Sequence, residues 1–465
     1  MRLEGYVPTL KRLLKISYPI VLGQVSIVLM GITDNMMVGQ TGSVALAAAS
    51  IVNSTFFLLF TLGIGIVSVL APLTATAKGA DTTSIVKDYF HMGLVWALIA
   101  GGGFGIIFGV FAGGISWLEQ PPEVNTLAIP YFRIIGSSAL PLAIFMAAKG
   151  VSDGLGRTIQ GFWITLIGLV VNILLNWTLI FGKFGFPAMG LNGAGWATLI
   201  ARWLMAILIL WQLVRPHGGI SLPLFPFSLN RLVFIKIGRM GLGAGLQYFF
   251  ETSAFVFAAY IIGWMGAEKL AAHQIAMGLA SMTYMFSLGI SIAGSIMVGE
   301  AKGSNNYPAL VRAGRVCFAV TAVFTFFFAS CFILLNNWLP LLYVNPAEHE
   351  VIMIASELLL ICSIFQLSDG TQVVAQGLLR GLGDIKIPTI ITLVVYVGIG
   401  LPWAYFLGYR SGWGVKGVWI GFAIGLSASA ILQCWRYLSL VKQKSKYVAT
   451  PQNNVLPTMA APVSA

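Results

Sequence analysis

Residues 39–51, GQTGSVALAAASI, recur as residues 263–275, GWMGAEKLAAHQI. At an offset of 224 the two stretches share Gly39/Gly263, Gly42/Gly266, Leu46/Leu270, Ala47/Ala271, Ala48/Ala272 and Ile51/Ile275. The match continues outward. Phe60, Leu62, Gly63 and Ile64 pair with Phe286, Leu288, Gly289 and Ile290, and Ala77-Lys78-Gly79 pairs with Ala301-Lys302-Gly303. AAKGVSDGLGR at 147–157 aligns with VAQGLLRGLGD at 374–384, and Gly190 and Gly193 align with Gly414 and Gly417. The chain is a duplicated unit.

Composition says what is duplicated. Hydrophobic residues make up 58% and charged residues 9%, against about 25% charged in soluble domains. The apolar runs far exceed the roughly 9–11 residues of a barrel strand, so the spans are helical. Twelve are expected, near 13–38, 46–76, 90–117, 126–148, 159–182, 190–213, 235–264, 270–299, 311–341, 350–378, 387–408 and 414–437. Several exceed the ~20 residues needed to cross a bilayer, so tilt or kinks are expected. Six spans per unit give both units one orientation, related by an axis along the membrane normal. The expected fold is an all-α polytopic membrane protein, two pseudo-symmetric six-helix lobes around a central cavity. The organisation read from this is an N-terminal lobe over 1–213, a cytoplasmic linker over 214–234, a C-terminal lobe over 235–440 and a disordered cytoplasmic tail over 441–465. Rocking of two such bundles gives alternating access.

Charge sets the orientation. With the N-terminus inside, 21 of the 27 Lys and Arg fall in inner segments and four, Lys183, Lys269, Arg410 and Lys416, in outer ones. This is a positive-inside pattern. It predicts a plasma-membrane protein (inner membrane in a bacterium) with both termini cytoplasmic, and it accounts for the net charge of +12 without a nucleic-acid partner. The first apolar run is too long for a signal-peptide core. The four cysteines, Cys317, Cys331, Cys362 and Cys434, all lie in spans and read as core packing. A monomer is expected.

Three acids lie within apolar spans: Asp34, Glu251 and Asp369. A carboxylate at a helix centre costs about 2.5–3.5 kcal/mol on insertion scales. Keeping three points to use: binding and releasing a proton or Na⁺ as the protein changes shape. In the first lobe Asn172 and Asn176 share a helix face at i,i+4. Asp34, Asn172, Asn176 and Thr198 all fall within roughly 6–15 Å of the outer ends of their helices, so the four can form one cluster of hard oxygen ligands. Such a set suits Na⁺, and its Asp can instead take a proton. Interhelical hydrogen-bond glue is the plain alternative for Asn and Thr. Arg202, one turn beyond Thr198, reads as a snorkelling or paired structural residue that can reach this cluster. In the second lobe Glu251 and Asp369 sit near mid-depth, where desolvation and mutual repulsion favour a shared proton and where both attract a cationic cargo. His273 reads as a core histidine. Pro19 lacks a backbone N–H and marks a hinge in the first span. In the paired loops the charges are swapped: Asp153 and Arg157 in one, Arg380 and Asp384 in the other. They read as intra-loop ion pairs or as a cross-lobe gate closing the inner face.

GITDNMMVG in the first span, FFETSAF in the seventh and SDGTQVVAQGLLRGLGD in the tenth and its loop resemble the multidrug and toxic compound extrusion (MATE) family, NorM-like branch. The resemblance covers nearly the whole chain and includes Pro19 fifteen residues before Asp34. It implies a cation-coupled antiporter that exports amphipathic, often cationic drugs and dyes, and it maps the family's first-lobe cation site onto Asp34, Asn172, Asn176 and Thr198. The family pattern places a Tyr four residues before the helix-10 acid; here that residue is Phe365, which removes an oxygen ligand from a second-lobe Na⁺ site. No cofactor is implied beyond the coupling ion, H⁺ or Na⁺.

Two rival functions fit the sequence less well. A lipid-linked oligosaccharide flippase of related architecture calls for a strongly basic cavity, whereas the embedded ionisable set here is acid-dominated. An integral-membrane enzyme needs a nucleophile–base pair or a metal cluster. The four His, at 91, 217, 273 and 349, have no such spacing, and no nucleotide-binding P-loop is present.

Overall fold

The computed structural model describes residues 5–118, 121–216 and 221–449. Among these no strand occurs, and twelve helices are long and apolar enough to cross a membrane. They are α1 Tyr6–Gly39, α2 Ser43–Gly79, α3 Ser84–Gly114, α4 Pro122–Gly154, α5 Thr158–Phe181, α6 Leu191–Val214, α7 Arg231–Gly263, α8 Ala267–Gly303, α9 Tyr307–Leu334, α10 His349–Leu382, α11 Lys386–Arg410 and α12 Gly414–Gln443. Most outrun their apolar cores. Helix α1 starts seven residues before the expected span, because polar turns outside hydrocarbon keep helical hydrogen bonds that hydropathy does not register. Helix α7 starts at Arg231, inside the stretch read as linker. The last helix continues to Ala449, into the segment expected to be disordered; the tail beyond it, with Arg2 and His217, lies outside the described residues.

The repeat is visible at atomic level. Gly42 and Gly266 open α2 and α8 with φ of 133° and 121°, a backbone that side chains disfavour. The repeated lysines do one job twice. Lys78 donates to the Leu155 carbonyl (2.9 Å) and Lys302 to the Leu382 carbonyl (2.7 Å), each neutralising carbonyls at the end of a neighbouring helix, α4 and α10.

Small residues let the lobes touch. A Cβ on Gly65 would lie 2.2 Å from the Gly245 Cα, so α2 and α7 cross with backbones in contact. Nearer the termini, Gly303 meets the Thr76 carbonyl and Gly79 the Glu300 carbonyl, closing α2 against α8. Leu13, Ile16 and Ile20 of α1 share one apolar cluster with α8, α9, α10 and α12. Above this seam lies a cavity of about 540 Å³, walled by α1, α2, α4, α7, α8 and α10 and floored on the termini side by residues such as Ala71 and Ser295.

The described end of the linker is docked on the first lobe. Ser228 and Asn230 donate to the Asp88 carboxylate, and the His91 Nδ1 accepts from the Ser228 N–H (2.9 Å). Both partners of Ser228 and Asn230 sit on α3, so the second lobe's entry helix is tied to the first lobe.

Candidate functional site

The first-lobe polar residues close a ring. Asn176 Nδ2 donates to Asp34 Oδ1 and, at 3.2 Å, to Asn172 Oδ1; Asn172 Nδ2 donates to Thr198 Oγ1 (3.3 Å), which donates to Asp34 Oδ2 (3.0 Å). All four side chains are buried. The helical repeat explains the geometry: the i,i+4 pair on α5 spans one turn, and α1 and α6 each present one residue at that depth. Every donor to the carboxylate is neutral. The Asn176 Oδ1 is buried without a hydrogen-bond partner, leaving one amide oxygen of the ring residues with its acceptor capacity unused. The ring lies inside the first lobe and is not part of the cavity wall.

Arg202 does not reach Asp34 as an ion pair. Its guanidinium donates to the Ser138 hydroxyl and sits over the Phe56 ring at 5.2 Å, the structural reading of an intramembrane Arg. Pro19 is buried in an α1 that stays helical through it. It removes the N–H that would bond the Lys15 carbonyl, weakening the helix there without breaking it.

In the second lobe Glu251 and Asp369 both line the cavity and are buried, at 6% and 7% exposure. Gln376 and Tyr396 flank Glu251, and its Oε2 has no hydrogen-bond partner. Tyr396 accepts from Gln372 (2.8 Å) and opens a π-helical turn, Tyr396–Gly400, in α11. Such a turn re-aims side chains and often marks function. Phe365 packs against Phe255 and Trp419, so an apolar contact occupies the position where the family pattern has an oxygen ligand. His273, read as a core histidine, is buried but lines the cavity, and its Nδ1 accepts from the Trp419 indole (3.1 Å).

The swapped loop charges pair differently from expectation. Asp153 is bound by Lys149 (2.6 Å), one turn before it on α4, and Asp384 by Arg436 of α12 (2.7 Å). Arg380 donates to the Tyr248 hydroxyl (2.9 Å). Among the described residues neither Asp153–Arg157 nor Arg380–Asp384 forms an ion pair, and Asp153, Arg380 and Asp384 each bond within their own lobe. Helices α4 and α10 run on through Asp153 and Arg380, which puts both residues on the cavity wall instead of in loops. Arg157 stands at the N-cap of α5.

Sequence reasoning passed over Tyr248, Gln372, Gln376 and Tyr396. A signal existed. Gln372, Gln376 and Arg380 follow Asp369 by three, seven and eleven residues, one polar stripe at helical period.

The sequence profile of the MatE family matches residues 19–178 and 244–406. The chain is 33% identical to the probable multidrug resistance protein NorM of Agrobacterium fabrum, over 94% of this chain and 95% of that one. It is 30% identical to the multidrug resistance protein MdtK of Yersinia pseudotuberculosis, over 96% and 99%. Its fold superposes on a crystal structure of a MATE protein in the bent conformation with a TM-score of 0.87, at 21% identity, covering 96% of this chain and 99% of that one.

Proposed function

The chain belongs to the MatE family of multidrug transporters, and we propose that it exports amphipathic, often cationic compounds in exchange for entering H⁺ or Na⁺ by alternating access. It is a multi-pass membrane protein, and its relatives are named as multidrug resistance proteins, not enzymes. The flippase reading is not favoured by them.

The observation that carries the proposal is a division of acids. Glu251 and Asp369 stand on the wall of a drug-sized cavity, while Asp34 is held in a separate ring within the other lobe. Carboxylates in an apolar, water-poor cavity attract cationic cargo strongly. A carboxylate held only by neutral donors can gain or lose a cation with little rearrangement of its shell. Asp34 with Asn172, Asn176 and Thr198 therefore serves as the coupling site, and Glu251 with Asp369 as a cargo or second proton site. With Phe365 in apolar contact, H⁺ is the ion favoured at the second-lobe acids; the Asp34 ring can take either. Pro19 supplies the hinge. With the termini cytoplasmic, as the positive-inside pattern suggests, the sealed end of the cavity faces the cytoplasm, closed by the glycine seam between α2 and α8 together with the Arg12–Glu300 ion pair (2.6 Å) between the lobes. The protein works as a monomer in the plasma membrane, without a cofactor.

The test is dye uptake into inverted vesicles with the pH gradient and the Na⁺ gradient collapsed separately. Uptake should fall when the pH gradient is lost. Uptake that persists with both gradients collapsed would sink the antiport reading.

A further inference from the structure

Two cations, Lys149 and Arg380, stand on the cavity wall. Lys149 is neutralised by Asp153 at 2.6 Å. Arg380 has no such partner: among the described residues it forms no ion pair, and it donates to a phenol, the Tyr248 hydroxyl at 2.9 Å, with the guanidinium 5.1 Å from the centre of the same ring. Arg380 is 94% buried by residue exposure of 6%. Its would-be loop partner Asp384 is held by Arg436. A buried guanidinium with five N–H donors and one neutral partner has strong unmet hydrogen-bonding capacity.

Its position relative to the acids is set by α10. Asp369 and Arg380 are eleven residues apart, about three turns and within about 20° of one face, roughly 16 Å along the axis. Helical side chains lean toward the N-terminus, so the long Arg380 side chain reaches back toward Asp369 and shortens that span. The bond to Tyr248, three residues before Glu251 on α7, places the guanidinium close to the Glu251 turn. Yet Glu251 and Arg380 remain beyond ion-pair distance. The cavity wall thus carries Glu251 and Asp369 and, about three turns along α10 from Asp369, a guanidinium that no carboxylate pairs with, while the third acid on the wall, Asp153, is held by Lys149.

We infer that Arg380 is a carboxylate-binding subsite, and that the cavity accepts dipolar cargo with its cationic group against Glu251 and Asp369 and its carboxylate on Arg380. The planar fork of a guanidinium suits a carboxylate in two parallel hydrogen bonds, and Tyr248 is the positioning residue that orients it. This rests on the efflux reading above for what the cavity holds.

The probes are a zwitterionic rhodamine with a free carboxylate and its methyl ester, which keeps the cation and loses the anion. Binding of each to the purified full-length protein is followed by fluorescence anisotropy. Arg380→Gln should weaken the zwitterion about tenfold or more and the ester by less than about twofold. Equal weakening of both dyes would make Arg380 a gate or structural residue, and no weakening of the zwitterion would remove the subsite; either overturns the inference. If Arg380→Gln does not fold, Arg380→Lys and Tyr248→Phe decide. Each should lower the zwitterion-to-ester preference several-fold with ester binding held, and an unchanged preference overturns the inference. Ester binding by the wild type separates the two claims: if the wild type binds neither dye, the cargo cavity itself fails, whereas ester binding insensitive to Glu251→Gln and Asp369→Asn faults the acids and leaves the Arg380 result to stand on the zwitterion comparison.

Discussion

Asp34 illustrates how a membrane-embedded acid is made tolerable without being made inert. Two neutral donors, Asn176 and Thr198, serve its two oxygens, and Asn172 ties those donors together. Replacing Asp34 by Asn keeps the shape and removes the titration. With one pH unit imposed, a one-for-one exchange sustains at most about tenfold accumulation; Asp34→Asn should sustain none, at normal membrane expression. Wild-type accumulation in that variant would remove Asp34 from coupling. Glu251 and Asp369 differ because they face the cavity. Glu251→Gln and Asp369→Asn should therefore weaken transport of cationic dyes more than of neutral ones, by about tenfold if one charge-assisted contact is lost. Equal losses for both dye types, measured side by side, would assign these acids to structure or coupling instead.

At the scale of helices, backbone contact sets how closely the two lobes approach on the termini side. A Cβ at Gly303 would stand 2.0 Å from the Thr76 carbonyl, in the seam that seals the termini side. Gly303→Ala must push α8 away from α2, since backbone cannot yield as a side-chain tip can. Efflux should fall sharply, and a cavity cysteine such as Ser281→Cys, on the cavity wall, should gain reactivity toward a reagent supplied from the termini side. Gly109 has nothing within 4 Å of its would-be Cβ, so Gly109→Ala is the matched control and should transport like the wild type. If both variants behave alike, the seam is not what closes the protein. Helix α10 gathers the polar stripe from Asp369 to Arg380, and α11 answers it with the Tyr396 π turn. Charge, amide and phenol groups thus meet where two irregular or polar helix faces adjoin.

For the molecule as a whole the question is energetic. One charge crossing ~100 mV is worth about 2.3 kcal/mol, roughly 1.6 decades of gradient. A monocation leaving for each entering monocation moves no net charge, so export should then ignore voltage and follow the chemical gradient alone. A zwitterion leaving for the same ion moves one charge inward and should gain from voltage. Export of the two rhodamine probes from vesicles clamped at set potentials checks this: the ester should be flat with voltage and the zwitterion should rise. Voltage-dependent export of the ester would mean more than one cation enters per cycle.

Much of this protein was open to reading before any coordinates. Apolar runs longer than a bilayer is thick leave the backbone no option but helix, and the 39–51/263–275 repeat determined two like-oriented lobes. Depth along a helix is linear in residue number, so Asp34, Asn172, Asn176 and Thr198 could be brought to one level from spacing alone. Rotation and partner choice are not linear in sequence. Which acid takes which base depends on how helices are turned and how far they run: Asp153 found Lys149 because α4 continues past the hydrophobic segment that hydropathy can detect, and Asp384 found Arg436 because α12 packs beside the end of α10. A like extension of α10 carried Arg380 from an expected loop onto the cavity wall. The glycines at 65, 79, 245 and 303 were visible, but only the packed lobes decided which backbone each would touch, since close approach is a property of two surfaces and a sequence specifies them one at a time.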